Sequence, residues 1–153
     1  MNGIHPKQQT PAEALIEAGL AFPGVRCFDG QRAPPLDVCA INGARLCVER
    51  RRLNHWDWAY RKAACEAQLP GVNIEEIAGM TWRDKMGEKL SEAGASIFAS
   101  FRQSSGHWRI ASRRWRLYGL GMERDGDTWY GVIVVGDDFE KFLGVAYKTE
   151  AAD

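Results

Sequence analysis

A chain of 153 residues is enough for one domain with its own apolar core, and its balanced charge, 20 basic against 20 acidic residues, argues against a general nucleic-acid binder. Its plentiful glycine and ordinary charge content are those of a globular protein, not a disordered one. No apolar run is long enough to span a bilayer, and the polar start, Met1 to Pro11, lacks the basic-then-apolar layout of a secretory signal.

In chain order, Thr10-Pro11-Ala12-Glu13 supplies an N-cap, a proline at the first helical position and a capping-box acid. This predicts a short helix from Pro11 to about Ala18, stopped by Gly19. Turn-rich sequence follows, with Pro23-Gly24, Asp29-Gly30 and Pro34-Pro35, so residues 1–35 read as an irregular lead-in and 36–153 as the domain proper. Asp37 can cap a helix lined by Val38, Ile41, Ala44 and Val48, with Arg50-Arg51-Arg52 as its solvated end. A third helix opens at Leu53-Asn54-His55-Trp56-Asp57, with Tyr60, Ala63, Ala64 and Ala67 as its buried stripe, and closes at Leu69-Pro70-Gly71. Asn73 can cap a short helix through Ile74, Ile77 and Ala78. Leu90, Ala93, Ile97, Phe98 and Phe101 then recur at three- and four-residue steps and predict a core-facing helix, followed by a loop at Ser104-Ser105-Gly106-His107. Leu117–Met122 and Thr128–Val135 read as strands joined by the hairpin signal Asp125-Gly126-Asp127. Val132–Val135 is an unbroken apolar run, the mark of a strand covered on both faces, and a third strand is sought at Ile110 or over Leu143–Tyr147. Helices first and strands second define an α+β class with an antiparallel sheet.

Of the four cysteines, Cys27, Cys39, Cys47 and Cys65, none forms a Cys-x-x-Cys pair, so a zinc knuckle is not indicated. They read as buried thiols, or as two disulfides in an exported protein. Arg113-Arg114-Trp115-Arg116 interleaves cations with an aromatic but reads as an exposed approach to a strand, and Asp137-Asp138 with Glu140 lacks the loop pattern of a calcium site.

The order of several short motifs resembles the CAP superfamily (cysteine-rich secretory proteins, antigen 5 and plant pathogenesis-related proteins) in its bacterial form. Asn42-Gly43-Ala44-Arg45 resembles the family's Asn-x-x-Arg. Leu53 with Trp56-Asp57 and Ala63-Ala64 resembles its Leu-x-Trp-Asp helix, and Gly87-Glu88-Lys89-Leu90 its Gly-Glu-Asn-Ile. Ser104-Ser105-Gly106-His107-Trp108 is similar to the Ser-Pro-Gly-His-Arg motif, Gly119-Leu120-Gly121 to the Gly-Val-Gly strand, and Trp129-Tyr130-Gly131-Val132 to the final aromatic strand. The likeness spans roughly Asn42 to Gly136. It implies a three-layer α-β-α sandwich with a cleft holding two histidines and one or two glutamates.

On that likeness Glu88 and His107 are the candidate catalytic or ligand-binding pair, with His107 as a possible zinc ligand. Met80-Thr81-Trp82 stands where the family keeps its first histidine. An indole N–H donates only, so Trp82 lines the cleft and makes it more apolar, but cannot ligate zinc. A second register places Glu75-Glu76-Ile77-Ala78-Gly79 on the family's Glu-Asn-Ile-Ala, with His55 as first histidine. The expected activity is a binding module for a lipid, a sterol-like molecule or a peptide. The alternatives are a hydrolase using Glu88 as general base and His107 as a polarising or metal-ligating group, and a structural partner-binding protein with an inert cleft. The family is mostly exported, which implies an extracellular or periplasmic setting.

Overall fold

The computed structural model describes residues 9–81 and 90–139. Among these, five helices and four strands run in the order α1 (Pro11–Ala21), β1 (Gln31–Arg32), α2 (Pro34–Arg50), α3 (Trp58–Gln68), β2 (Ile74–Met80), α4 (Leu90–Arg102), α5 (Ser105–Ala111), β3 (Trp115–Asp125) and β4 (Thr128–Asp138). The class is mixed α+β, and no described helix is long and apolar enough to cross a membrane. The strands form one sheet in the order β1-β3-β4-β2. β4 pairs antiparallel with β3 and with β2, while β1 joins β3 in parallel at Gln31–Leu117 and Arg32–Tyr118. The sheet is therefore mixed, where an antiparallel one was expected. A parallel pair needs a long crossover, and the whole run from α2 to α5 supplies it.

β4 is the central strand, and its alternation organises the core. Trp129, Ile133 and Val135 join an apolar cluster with Leu15 of α1, Ile97, Phe98 and Phe101 of α4, and Ile110 of α5. Val132 and Val134 join a second cluster with Leu36, Cys39, Ala40 and Ala44 of α2 and Cys65 of α3. Successive side chains of a strand point to opposite faces, so the apolar run of β4 is covered on both sides, as its composition requires. The hairpin turns at Gly126, whose φ of +54° is glycine's natural territory.

Several local expectations hold. Thr10 accepts a hydrogen bond from the Glu13 amide at 3.1 Å, and the stripe Ala93, Ile97, Phe98, Phe101 of α4 is buried. Others are corrected. α1 passes through Gly19, which is not a terminator: it makes room for the rings of Phe28 and Phe98, and an added Cβ there would sit 2.5 Å from Phe28. α3 buries Arg61 and Cys65 in place of its alanines, and Tyr60 is 80% exposed. The segment expected as a helix after Asn73 is strand β2, paired along its length with β4. The expected loop at Ser104–His107 starts a short helix, α5, in which Ile110 also lies, and Leu143–Tyr147 falls outside the described residues.

α2 lies directly on the β3 backbone. A Cβ on Gly119 would come within 2.3 Å of the Asp37 nitrogen, and one on Gly121 within 2.6 Å of the Ile41 Cα. The Asp37 carboxylate accepts from the Leu120 amide at 3.1 Å and from Arg32 at 3.0 Å, so a side chain takes over the β3 edge where the two-residue β1 ends. On the other face Gly94 of α4 meets Ala18 of α1, two small residues that let these helices approach closely.

Candidate binding site at the edge of strand β2

Glu76 lies on β2 between Ile74 and Ala78, so its side chain enters the α2–α3 side of the sheet. A carboxylate placed there needs a cation, and α3 supplies one on its buried face. Arg61 meets Glu76 in a fork, Nη1 to Oε2 at 2.6 Å and Nη2 to Oε1 at 2.9 Å, with the two side chains 4% and 2% exposed. Arg61 also donates through Nε to the Trp56 carbonyl at 2.8 Å and through Nη1 to the Cys39 carbonyl at 3.0 Å. Gly43 of α2 leaves space for the guanidinium, since a Cβ there would lie 2.9 Å from its Cζ. Burial works against the Arg61 charge, but the hydrogen bonds and charge of Glu76 leave its pKa above the usual guanidinium value. Deleting either partner strands a buried charge, a loss of about 3–5 kcal/mol for such pairs.

The loop between α2 and α3 brings an imidazole to the same carboxylate. Arg51 and Asp57 adopt left-handed conformations, φ +50° and +54°, and turn the chain at either end of that loop. Trp56 donates its indole N–H to the Arg52 carbonyl at 2.9 Å, Asn54 accepts from the His55 amide at 2.8 Å, and the Arg50 guanidinium covers the Trp56 ring at 4.7 Å. Trp58 in turn stacks beneath Arg61 at 5.3 Å. The two tryptophans thus pack against cations and hold the loop. His55, 43% exposed, then places Nδ1 2.8 Å from Glu76 Oε1. With Nδ1–H donated to the carboxylate, the lone pair of Nε2 is left for an outside partner.

His107 approaches from the other face. On α5 its Nδ1 lies 2.8 Å from Ser104 Oγ, and its ring stacks on Phe101 of α4 at 5.5 Å and 15°. Arg109, half a turn further along α5, is paired to Glu75 of β2 at 2.6 Å. Burial lowers the His107 pKa, and the charge of His55 lowers it further. β2 is the last strand of the sheet, and among the described residues nothing pairs with its outer edge as a strand. Beside it opens a groove of about 780 Å³ whose lining includes Lys62, Asn73, Glu75, Arg109, Arg113 and Asp138, residues of both charge signs.

Of the residues singled out in the sequence, His107 is placed here. Glu88 and Trp82 lie outside the described residues, and with them the expected Glu88–His107 pairing. Among the described residues Glu76 instead pairs with His55 and Arg61, while His107 lies against Ser104 and Phe101 on the other face of the sheet; the second register sets its glutamate on Glu75. Arg61 was overlooked, although it sits three residues after Trp58 and four before Cys65, on the one helix face able to carry it inward. Among the described residues no group of three or more His, Cys, Asp or Glu side chains could hold a metal ion. All four cysteines are buried free thiols, and burial pushes Cys27 and Cys39 up to about 12. No family model, curated protein or solved structure matches the chain.

Proposed function

We propose that the protein is a divergent CAP-like binding module, its helices and sheet forming a three-layer α-β-α sandwich, that holds a peptide along the outer edge of β2. The observation that carries the reading is the edge of β2, open among the described residues and flanked by the Glu76–His55 pair on one face and the Glu75–Arg109 pair on the other. The adjoining groove carries both charge signs and an amide side chain, which suits an extended peptide with ionised side chains better than a lipid or a sterol-like molecule. An extended chain also finds unpaired backbone groups on an edge strand.

A random-peptide display selection against the purified protein tests this. Selected peptides are expected to lose about tenfold or more in affinity on His55→Ala, His107→Ala or Glu75→Ala, and to be unaffected by Glu13→Ala on α1. Peptides that bind all four variants equally well would remove the site.

One observation favours a second reading, a hydrolase. The carboxylate–imidazole pair Glu76–His55 leaves Nε2 able to take a proton from a water. Hydrolysis of p-nitrophenyl esters or short peptides that vanishes in His55→Ala, with the selected peptides still bound, would favour the enzyme.

A further inference from the structure

Four free thiols lie within the described residues, and their positions leave one pairing open. Cys27 is in the α1–α4 cluster, while Cys39 and Cys65 share the cluster on the other face of the sheet. Cys47 is two turns along α2 from Cys39, about 12 Å away by helix rise, and turns its sulfur to the Asn54 carbonyl at 3.4 Å. Cys39 and Cys65 lie on the buried sides of α2 and α3 and share one apolar cluster. Each also has a carbonyl of the opposite segment in reach, Cys39 that of Arg61 at 3.7 Å and Cys65 that of Pro35 at 3.6 Å. Each thiol thus reaches the carbonyl one turn before the other cysteine, which sets the two level on facing helices, the starting geometry of a disulfide.

We propose that Cys39 and Cys65 form a modification site, at which a low-molecular-weight disulfide of the glutathione class oxidises the thiol pair to an intramolecular disulfide joining α2 to α3. In the first step the Cys65 thiolate attacks one sulfur of the oxidant, whose S–S bond breaks and releases one thiolate. Cys39 then gives up its proton to solvent and attacks the Cys65 sulfur, expelling the second thiolate. The protein loses two electrons and two protons, and the oxidant becomes two thiols. Cys39 follows because burial pushes its thiol up to about 12 and its S–H is held by the Arg61 carbonyl. Both residues are 4% exposed, so the reaction waits on α3 lifting from α2 and is slow at neutral pH.

The consequence reaches the histidine site. Arg61 is one turn before Cys65 on α3, and its Nη1 lies 3.6 Å from the Cys39 sulfur. A covalent tie between the helices fixes the element that carries Arg61, and through it Glu76 and His55.

The test uses the full chain, reduced, then incubated with oxidised glutathione at pH 8.5, quenched with N-ethylmaleimide and mapped by mass spectrometry without reduction. The expected product loses two thiols together and yields one cross-linked peptide pair, Cys39 to Cys65, with Cys27 and Cys47 still alkylated after unfolding. Its melting temperature rises by roughly 5–10 °C and returns on adding dithiothreitol. Cys39→Ser is expected to stop at a glutathione adduct on Cys65. The proposal is overturned if the cross-link involves Cys27 or Cys47, if the wild-type chain also stops at the adduct, or if the folded chain loses no thiol while the urea-unfolded chain reacts. A lowered melting temperature in the cross-linked form overturns it equally, because the sulfurs would then meet only by distorting the fold.

Discussion

At the scale of single residues the site turns on two imidazoles with different surroundings. His55 is half open to solvent and tied to Glu76, while His107 is wedged between Phe101 and Ser104. Burial, and then the charge of His55, lower the pKa of His107, so the unfolded chain binds more protons than the folded one just below the ordinary value of about 6.5. The His107 contribution to stability is therefore complete above pH of about 6.5 and is lost as pH falls from there through the depressed folded value. Urea unfolding across pH 5–8 is expected to show this decline, and His107→Gln to flatten it. In NMR titrations His55→Gln is expected to raise the His107 midpoint while leaving it below the ordinary value, because burial is the larger cause. An unmoved midpoint would mean that the rings do not share a site.

At the scale of elements, the contact of α2 with β3 is the least forgiving. Gly119→Ala would push a methyl into the first turn of α2, at the Asp37 nitrogen that begins its hydrogen-bond ladder. Neither a strand nor a helix backbone can yield as a side-chain tip does, so we expect a loss of about 1–3 kcal/mol or more, read from the shift in denaturation midpoint. Elements with strong local signals were legible: the Thr10 cap, the α4 stripe, and the hairpin at Gly126 with its buried fourth strand. β2 was not, because Ile74, Ile77 and Ala78 fall at helical steps as readily as at strand positions, and a seven-residue run is too short for periodicity to decide. α3 misled for a related reason. Its alanines imitate an apolar stripe, while the face that goes inward carries a cation whose partner lies fifteen residues on. A pairing of that kind leaves no mark in periodicity. The motifs single out His107, and the second register His55, but the Glu76–His55 pairing spans 21 residues and no spacing in the sequence announces it.

For the molecule as a whole, both ends of the described chain are needed to close the core. Leu15 and Ala18 of α1 lie against α4, Cys27 and Phe28 share the same cluster, and β1 completes the sheet beside β3. A chain beginning at Ala33 would leave Phe98 and Gly94 bare. We expect it to lose cooperative unfolding and to bind a hydrophobic dye, as checked by circular dichroism and fluorescence; a sharp transition at the full-length midpoint would contradict this. The parallel seam between Arg32 and Tyr118 also has a meaning for synthesis. As the chain leaves the ribosome, its first helix and first strand must wait on the order of ten seconds for their partners to be translated. Throughout that interval Phe22 and Phe28 lack their later partners Phe98, Trp108 and Tyr118, so the nascent amino-terminal third would be a client for a holding chaperone, and a pause in translation before residue 118 would lengthen its exposure.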